Sequence, residues 1–434
     1  MKPRLSVSGT RAKHIAAGCV GNFLEFYNFM AYAFFAPMIG QAFFPAGGHF
    51  MALLLALVTF AAGFIMRPLG ACVIGLYTDR AGLGRSLMLS FLLMALGSVL
   101  LVFTPTYRSA GIMAPALILV SRLLQGFSEG GEVGPATDLL FSLGSGRQAS
   151  ALASMQYVTQ LLASLAAVLL GLILSLTLSH QQLYDWGWRV PFVLGLAIVP
   201  IGFFFRRALP PMAGSPARPA ASASDERRTD PAIVLFLFLA VTSGTITNYL
   251  RQFGVSYAIA VLHLPPRTGM LGMCLGLAAG IGAMGVGIRF LAHRPPARVL
   301  VSTGFANVVM AYPLYHFAVF CPGIASQVLL NVFMFASAGV TTGPAFEIMM
   351  NALSDHRRAF IFGVVYASAV SIFGGSTQPF VTWLIARTGD VMVPAYVAIA
   401  ASPLYVAALL LLNRRVAHGT RSAGPDPVPL AVEL

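Results

Sequence analysis

The sequence predicts an all-α integral membrane protein with 12 transmembrane helices in two six-helix bundles. Of the 434 residues, 57% are apolar and only 9% are charged, whereas soluble proteins carry about 25% charged residues. About 20 consecutive apolar residues span a bilayer, and 12 such segments follow one another along the chain. One long polar stretch separates the sixth segment from the seventh and divides the chain into two halves.

The predicted segments account for most of the chain. Their apolar cores run over residues 15–39, 51–77, 87–104, 112–140, 149–178, 189–208, 232–262, 268–291, 298–320, 324–351, 361–386 and 393–412. We expect residues 1–205 to form the N-terminal six-helix bundle. Residues 206–231 are rich in Ala, Pro, Ser and charge, which is typical of a linker. Residues 232–434 then form the C-terminal six-helix bundle with a short cytoplasmic tail.

Basic residues are distributed unevenly over the predicted connections. Of the 27 Lys and Arg residues, 20 lie on alternate connections and at the termini, and four lie on the opposite connections, namely Arg108, Arg189, Arg267 and Arg387. Because cytoplasmic connections carry the excess of Lys and Arg, both termini and the linker are predicted to be cytoplasmic, in a multi-pass protein of the cell (inner) membrane. This placement accounts for the net charge of +13 without a nucleic-acid partner.

The fourth predicted helix carries ionisable side chains within apolar sequence. Arg122, Gln125, Glu129 and Glu132 are spaced so that a helix gathers them on one face. An ionisable group at bilayer depth costs about 2.5–3.5 kcal/mol unless it faces a protein interior or a water-filled cavity. A polar stripe on a membrane helix therefore predicts a path for a polar solute.

Several motifs together resemble one known family. The first half carries GNFLEFYNF at residues 21–29, FIMRPLG at 64–70, RLLQGFS at 122–128 and DWGWRVPF at 185–192, and the second carries IFGGST at 372–377 and TGD at 388–390. These stretches resemble the major facilitator superfamily and, more narrowly, its metabolite:proton symporter branch. The first half is most similar to the citrate and tricarboxylate carriers of that branch.

The resemblance implies a secondary active transporter that moves a di- or tricarboxylate such as citrate by alternating access, together with protons. It also implies membrane lipid as surroundings and a monomeric chain. Three alternatives remain open: a proton-uncoupled uniporter or exporter, a non-transporting solute sensor on a carrier fold, and a carrier of a zwitterion such as proline or betaine. The sequence has no P-loop lysine pattern and no HExxH motif. We therefore expect neither ATP drive, enzyme activity, a cofactor nor a metal.

Three arginines inside apolar segments are the first candidates to bind substrate: Arg67, Arg122 and Arg251. A guanidinium group grips a carboxylate bidentately. The alternative for each is an internal ion pair, and Arg251 has the further alternative of reaching the membrane interface. Polar side chains complete the predicted site, with hydrogen bonding between helices as their alternative role: Asn22, Tyr32, Gln156, Gln160 and Asn248.

Proton coupling requires a buried carboxylate whose charge state responds to its surroundings. Glu132 and Glu25 match acids of the family signatures, and Glu129 stands where the branch usually has a small residue. The family's first-helix aspartate is replaced by Asn28, which cannot titrate. Coupling is therefore expected to have shifted to these glutamates or to be lost.

Gating roles follow from the resemblance to the family's cytoplasmic loop motif. They fall on Asp79, Arg80 and Arg85, which are expected to form ion pairs in one conformation of the transporter and to break them in the other. The alternative is a solvated loop.

Overall fold

The computed structural model describes residues 9–45, 48–142, 147–197, 200, 230–291, 294–353 and 358–422. Within these ranges, the side chains of residues 9–18, 79, 83, 84, 87, 131–156, 288, 291, 358–360 and 417–422 lie outside the description. The described residues form helices, turns and short connections, with no strand among them. The predicted linker, residues 206–231, lies outside the described residues except for Asp230 and Pro231.

The first half contains five long helices and part of a sixth, with short helices in its connections. Their bounds are α1 Gly9–Phe43, α2 Gly48–Ala81, α3 Leu83–Phe103, α4 Tyr107–Ala110, α5 Met113–Ser142, α6 Arg147–Thr177, α7 His180–Asp185 and α8 Val190–Gly195. The predicted sixth segment is represented by α8, which begins with Pro191 in its first turn, a position where proline's missing N–H costs nothing.

The second half begins with α9, Pro231–Gln252, whose first turn is capped by Asp230 accepting a hydrogen bond from the Ala232 N–H at 2.9 Å. The remaining helices are α10 Gly254–Ala260, α11 Pro266–Val286, α12 Pro296–Phe320, α13 Ile324–Asn351, α14 Arg358–Ala369, α15 Gly375–Thr388 and α16 Val393–Ser422. A π-helical turn, Val370–Gly374, joins α14 to α15. The helices α9 and α10 together form the predicted seventh span, and α14 and α15 form the eleventh.

Eight described helical segments are long and apolar enough to cross a membrane, and one of them, Ile361–Thr388, runs through α14, the π-helical turn and α15. The all-helical membrane fold is thus confirmed, and the arrangement is consistent with 12 spans.

Glycine determines how closely α2 and α5 pack. A Cβ atom on Gly126 would collide with the carbonyl oxygen of Gly63, and one on Gly130 would collide with that of Arg67. Small residues at such crossings let helix backbones approach in a membrane, where no hydrophobic force drives helices together. The arginine-bearing α2 and the glutamate-bearing α5 are therefore held in close backbone contact.

The apolar cores show how the halves meet. We call the end of the bundle at which α9 begins the linker end, and the opposite end the far end. One large core joins both halves at the far end and includes Phe34, Phe60, Tyr257, Leu277 and Leu314. Toward the linker end, each half has a core of its own, around Leu237 and Ile348 in the second half and around Met94 in the first. The described cores therefore pack the halves together at the far end, whereas toward the linker end each described core belongs to one half.

Candidate functional site

A cavity of about 620 Å³ lies between the halves, toward the linker end. Both halves contribute to its wall. The polar and charged side chains that line it include Asn22, Glu25, Arg67, Glu129, Tyr157 and Gln160 from the first half and Thr245, Asn248, Tyr249, Arg251, Asn307, Tyr366, Ser371 and Tyr405 from the second. Seven of the eleven predicted substrate and proton residues therefore line one space. That volume is within the range of small-molecule sites.

Contacts between the halves close the cavity toward the far end. Ser256 on α10 donates a hydrogen bond from its Oγ to the Ala33 carbonyl oxygen of α1 at 3.1 Å. The rings of Phe64 and Tyr249 meet edge to face, with centroids 5.3 Å apart. Above these contacts lies the shared apolar core. These contacts separate the cavity from the far end.

The strongest polar contact in the cavity wall is an ion pair between Arg67 on α2 and Glu129 on α5. Arg67 Nη2 lies 2.7 Å from Glu129 Oε2, and the two side chains are only 10% and 6% exposed. The Arg67 guanidinium also lies over the rings of Phe64 and Phe29, at 4.0 and 4.7 Å from their centroids. Its Nε has no hydrogen-bond partner among the described residues. Two aromatic faces and one carboxylate thus fix the position of this positive charge.

The polar stripe on the fourth predicted helix places Arg122 on the path of the solute, but the structure places it elsewhere. It is 1% exposed and does not line the cavity. Its guanidinium lies over the Tyr32 ring, 4.4 Å from the centroid, and its Nη1 donates a hydrogen bond to Gln125 Oε1. In this conformation Arg122 is sealed beneath aromatic side chains, and its substrate contact stays a prediction.

Tyr32 and Asn28 also serve packing in this conformation. The Tyr32 hydroxyl donates to the Ala56 carbonyl oxygen at 3.2 Å. The Asn28 amide donates to the carbonyl oxygens of Leu24 and Gly195, at 3.1 and 3.3 Å, and ties α1 to α8. Ser98 donates to Asn28 Oδ1 at 3.5 Å and accepts from Gln125 Nε2 at 3.0 Å. Asn28 therefore ends a buried hydrogen-bond chain that runs from Arg122 through Gln125 and Ser98.

Among the described residues of the second half, Arg251 on α9 is the cationic group that lines the cavity. Among the described residues, no carboxylate lies within 4 Å of it, and its Nε has no hydrogen-bond partner. Phe335 lies beneath it at 5.9 Å. The Oδ1 atom of Asn248, three residues before it, is also without a partner among the described residues. Two polar atoms on one face of α9, Arg251 Nε and Asn248 Oδ1, therefore have no described hydrogen-bond partner and can bind a solute.

The remaining predicted residues divide into three groups. Glu25, Asn22 and Gln160 line the cavity, and Asn22 Nδ2 donates to Thr159 Oγ1 at 2.6 Å. Arg80 and Arg85 are exposed, and their gating role stays a prediction. The side chains of Asp79, Glu132 and Gln156 lie outside the described residues.

The sequence did not single out the tyrosines of the cavity wall. Tyr249 and Tyr366 lie within electrostatic range of Arg67 and Glu129. Tyr249 directly follows Asn248 in sequence, so it falls off the polar face that helical spacing defines. A hydroxyl-bearing ring in the middle of an apolar segment was the available signal, and it is weak because tyrosine also packs as an apolar residue.

Known proteins resemble the chain over nearly its whole length. Residues 18–376 match the family model described as Major Facilitator Superfamily. The citrate-proton symporter of Klebsiella pneumoniae is 30% identical over 427 residues, 96% of this chain and 95% of that protein. The citrate-proton symporter of Salmonella typhi is 29% identical over 411 residues, 92% of this chain and 93% of that protein.

A solved structure shows the same fold. The crystal structure of a D-xylose-proton symporter superposes with a TM-score of 0.73 and 12% sequence identity, covering 92% of this chain and 97% of that one. The resemblance drawn from the motifs is confirmed. The chain belongs to the Major Facilitator Superfamily, as a multi-pass membrane transporter and not an enzyme.

Proposed function

We propose that the protein is a secondary active transporter that carries a small organic anion with two or three carboxylates, such as citrate, together with protons. Arg251 is the observation that carries this proposal. A guanidinium group in a membrane cavity, without a carboxylate within 4 Å among the described residues, needs a countercharge, because an unpaired charge at this depth is costly. A substrate carboxylate supplies it, and the names of the two symporters support citrate.

A cavity between the halves that described contacts close toward the far end supports transport by alternating access. Two six-helix bundles, residues 1–205 and 232–434, rock about a site between them. With the linker and both termini cytoplasmic, as the charge distribution predicts, the described conformation faces the cytoplasm of an inner-membrane protein. In the opposite conformation the far-end contacts open and the linker end closes. The exposed Arg80 and Arg85, with Asp79, then form the ion pairs that hold the closed end.

The binding groups come from both halves in this proposal. Arg67 and Arg251 supply positive charge, and Gln160, Asn22 and Asn248 supply hydrogen bonds. Arg122, Tyr32 and Gln156 take part in conformations other than the described one. Glu129, Glu25 and Glu132 are the carboxylates proposed for proton coupling. The chain works as a monomer in membrane lipid.

Uptake of radiolabelled citrate into proteoliposomes tests the proposal. We expect uptake that an imposed inward proton gradient accelerates, and we expect Arg251→Gln to abolish most of it. The exposed Arg294→Gln is the matched control, because it removes the same charge outside the cavity. Both variants must elute from size exclusion as the wild-type chain does.

Each other outcome points to an alternative. A citrate uptake rate that is the same with and without the proton gradient identifies a uniporter, and citrate binding without uptake identifies a sensor. Competition by proline or betaine, but not by dicarboxylates, identifies a zwitterion carrier. No uptake or binding of any carboxylate refutes the proposal.

A further inference from the structure

The Arg67–Glu129 ion pair lies entirely within the first half. Its helices, α2 and α5, are locked together where Gly63, Gly126 and Gly130 bring their backbones into contact. Alternating access moves the two bundles largely as rigid units. Rocking therefore leaves the distance between Arg67 and Glu129 unchanged. Only a chemical event can break the pair: a proton on Glu129, or another anion on Arg67.

The Arg67 guanidinium stays in position when its ion pair with Glu129 is broken. The rings of Phe64 and Phe29 lie 4.0 and 4.7 Å from its guanidinium carbon, and aromatic faces attract cations without using their N–H donors. The Nη2 donor that Glu129 occupies and the Nε donor that has no described partner are therefore held in place for an incoming anion. A substrate carboxylate offers the same geometry and charge as the glutamate side chain.

We propose that Glu129 is a tethered carboxylate that occupies the anion site of Arg67 when substrate is absent, and that a substrate carboxylate replaces it as Glu129 takes up a proton. The inference rests on the proposed function. The proton comes from water in the cavity that Glu129 lines, forms an O–H bond on its carboxyl group, and removes the charge that held it to Arg67. Proton and substrate then occupy the site together, which is the condition for symport.

The groups around Glu129 fit this exchange. From α2 it faces Arg67, and from its own helix Arg122 acts on it electrostatically. Tyr249 on α9 and Tyr366 on α14 lie within electrostatic range, and both are neutral near pH 7. Glu25 on α1 lines the same cavity and has contacts of its own. When Glu129 is protonated, it no longer balances the positive charge of Arg67 and Arg122, and this charge attracts an anion.

The exchange makes a distinctive prediction for binding. If one proton accompanies each bound substrate, affinity falls by up to about tenfold per unit rise in pH. The Glu129→Gln side chain has no titrating group and resembles the protonated acid. Its citrate affinity should equal or exceed that of the wild type at high pH and should change little with pH.

Equilibrium binding of radiolabelled citrate to purified protein, from about pH 6 to about pH 8.5, tests the inference. The titration of citrate itself is common to all samples and cancels when slopes are compared. Glu129→Asp keeps a carboxylate and should keep a pH slope. Glu347→Gln is the matched control, because Glu347 is exposed on α13 and does not line the cavity, and it should retain the wild-type slope.

The outcomes separate this inference from the proposed function. A wild-type slope that is lost in Glu129→Gln and kept in Glu129→Asp supports the exchange. An equal slope in wild type and Glu129→Gln overturns it and leaves carboxylate transport standing. If Glu129→Gln does not fold, a Glu129→Asp slope equal to that of the wild type supports the exchange, and a flat one overturns it. If the wild type binds no di- or tricarboxylate at any pH, the proposed function itself fails.

Discussion

A double-mutant cycle on Arg67 and Glu129 measures the interaction on which the site is built. The cycle compares Arg67→Met, Glu129→Met and the double variant with the wild type. Methionine is a linear side chain that leaves neither charge nor a strong hydrogen-bonding group. Because the Phe64 and Phe29 contacts of Arg67 are lost in both the single and the double variant, they cancel in the cycle.

The structure sets the expected magnitude. The Nη2 to Oε2 distance is 2.7 Å and the side chains are 10% and 6% exposed, so water screens the pair little. Two unit charges 4 Å apart attract by about 4 kcal/mol at an effective dielectric constant of about 20. Removing one member of a buried pair costs about 3–5 kcal/mol because it leaves the other charge uncompensated.

We therefore expect each single variant to lose about 3 kcal/mol of unfolding free energy. The double variant should lose less than the sum of the two by about 2–4 kcal/mol, within the range that such cycles give for close charge pairs. The assay is equilibrium unfolding in mixed micelles by titration with a denaturing detergent, followed by intrinsic fluorescence. Strictly additive losses would refute the reasoning, because they would show that the two charges do not interact in the folded protein.

Three further predictions concern the crossing of α2 and α5, the replacement of the family's first-helix aspartate by Asn28, and the direction in which the cavity opens. Gly126→Ala places a methyl group against the Gly63 carbonyl oxygen of α2 and should lower the free energy of unfolding by about 1–3 kcal/mol. Gly282→Ala is the control, because its added Cβ meets no heavy atom within 4 Å, and it should leave the free energy of unfolding unchanged. Equal losses in the two variants would contradict the tight crossing. Asn28→Asp replaces an amide that donates to two carbonyl oxygens with an acceptor, and should cost about 1–3 kcal/mol of unfolding stability; a variant as stable as the wild type would show that these bonds do not matter. In inverted vesicles, a membrane-impermeant maleimide should label Cys72, which lies in the cavity wall, from the cytoplasmic side. In intact cells, the same reagent should label Cys321, which is exposed after α12, from the outside. Each cysteine-to-serine variant is the control, and the reverse pattern would contradict the predicted orientation.

Several features of the site could be predicted from residues alone. Ionisable groups within apolar segments stand out because lipid tolerates them poorly, and that rule selected Arg67, Glu129 and Arg251, which all line the cavity. The period of the helix placed Asn248 on the same face as Arg251. The same rule also selected Arg122, which lies outside the cavity wall, so charge in apolar sequence indicates a buried polar region but not which charges face the cavity.

The partner of each charge could not be predicted in the same way. Helical spacing puts Arg122 and Glu129 on one stripe of α5, yet Arg122 lies under the Tyr32 ring and Glu129 pairs with Arg67, 62 positions earlier in the chain. Spacing along one helix orders side chains on that helix only. It contains no information about which neighbouring helix approaches, or at which height.

The sequence by itself determined that this protein is a helical membrane carrier with a charged path through its middle, because segment length, hydropathy and motifs are properties of the chain. The tertiary structure decided which charges are paired and which are free. The crossing of α2 and α5 at their glycines brings Arg67 to Glu129 and neutralises both, whereas no described carboxylate reaches Arg251. The physical reason is that an ion pair depends on distances of a few ångströms between helices, and only the packing of the helices sets those distances.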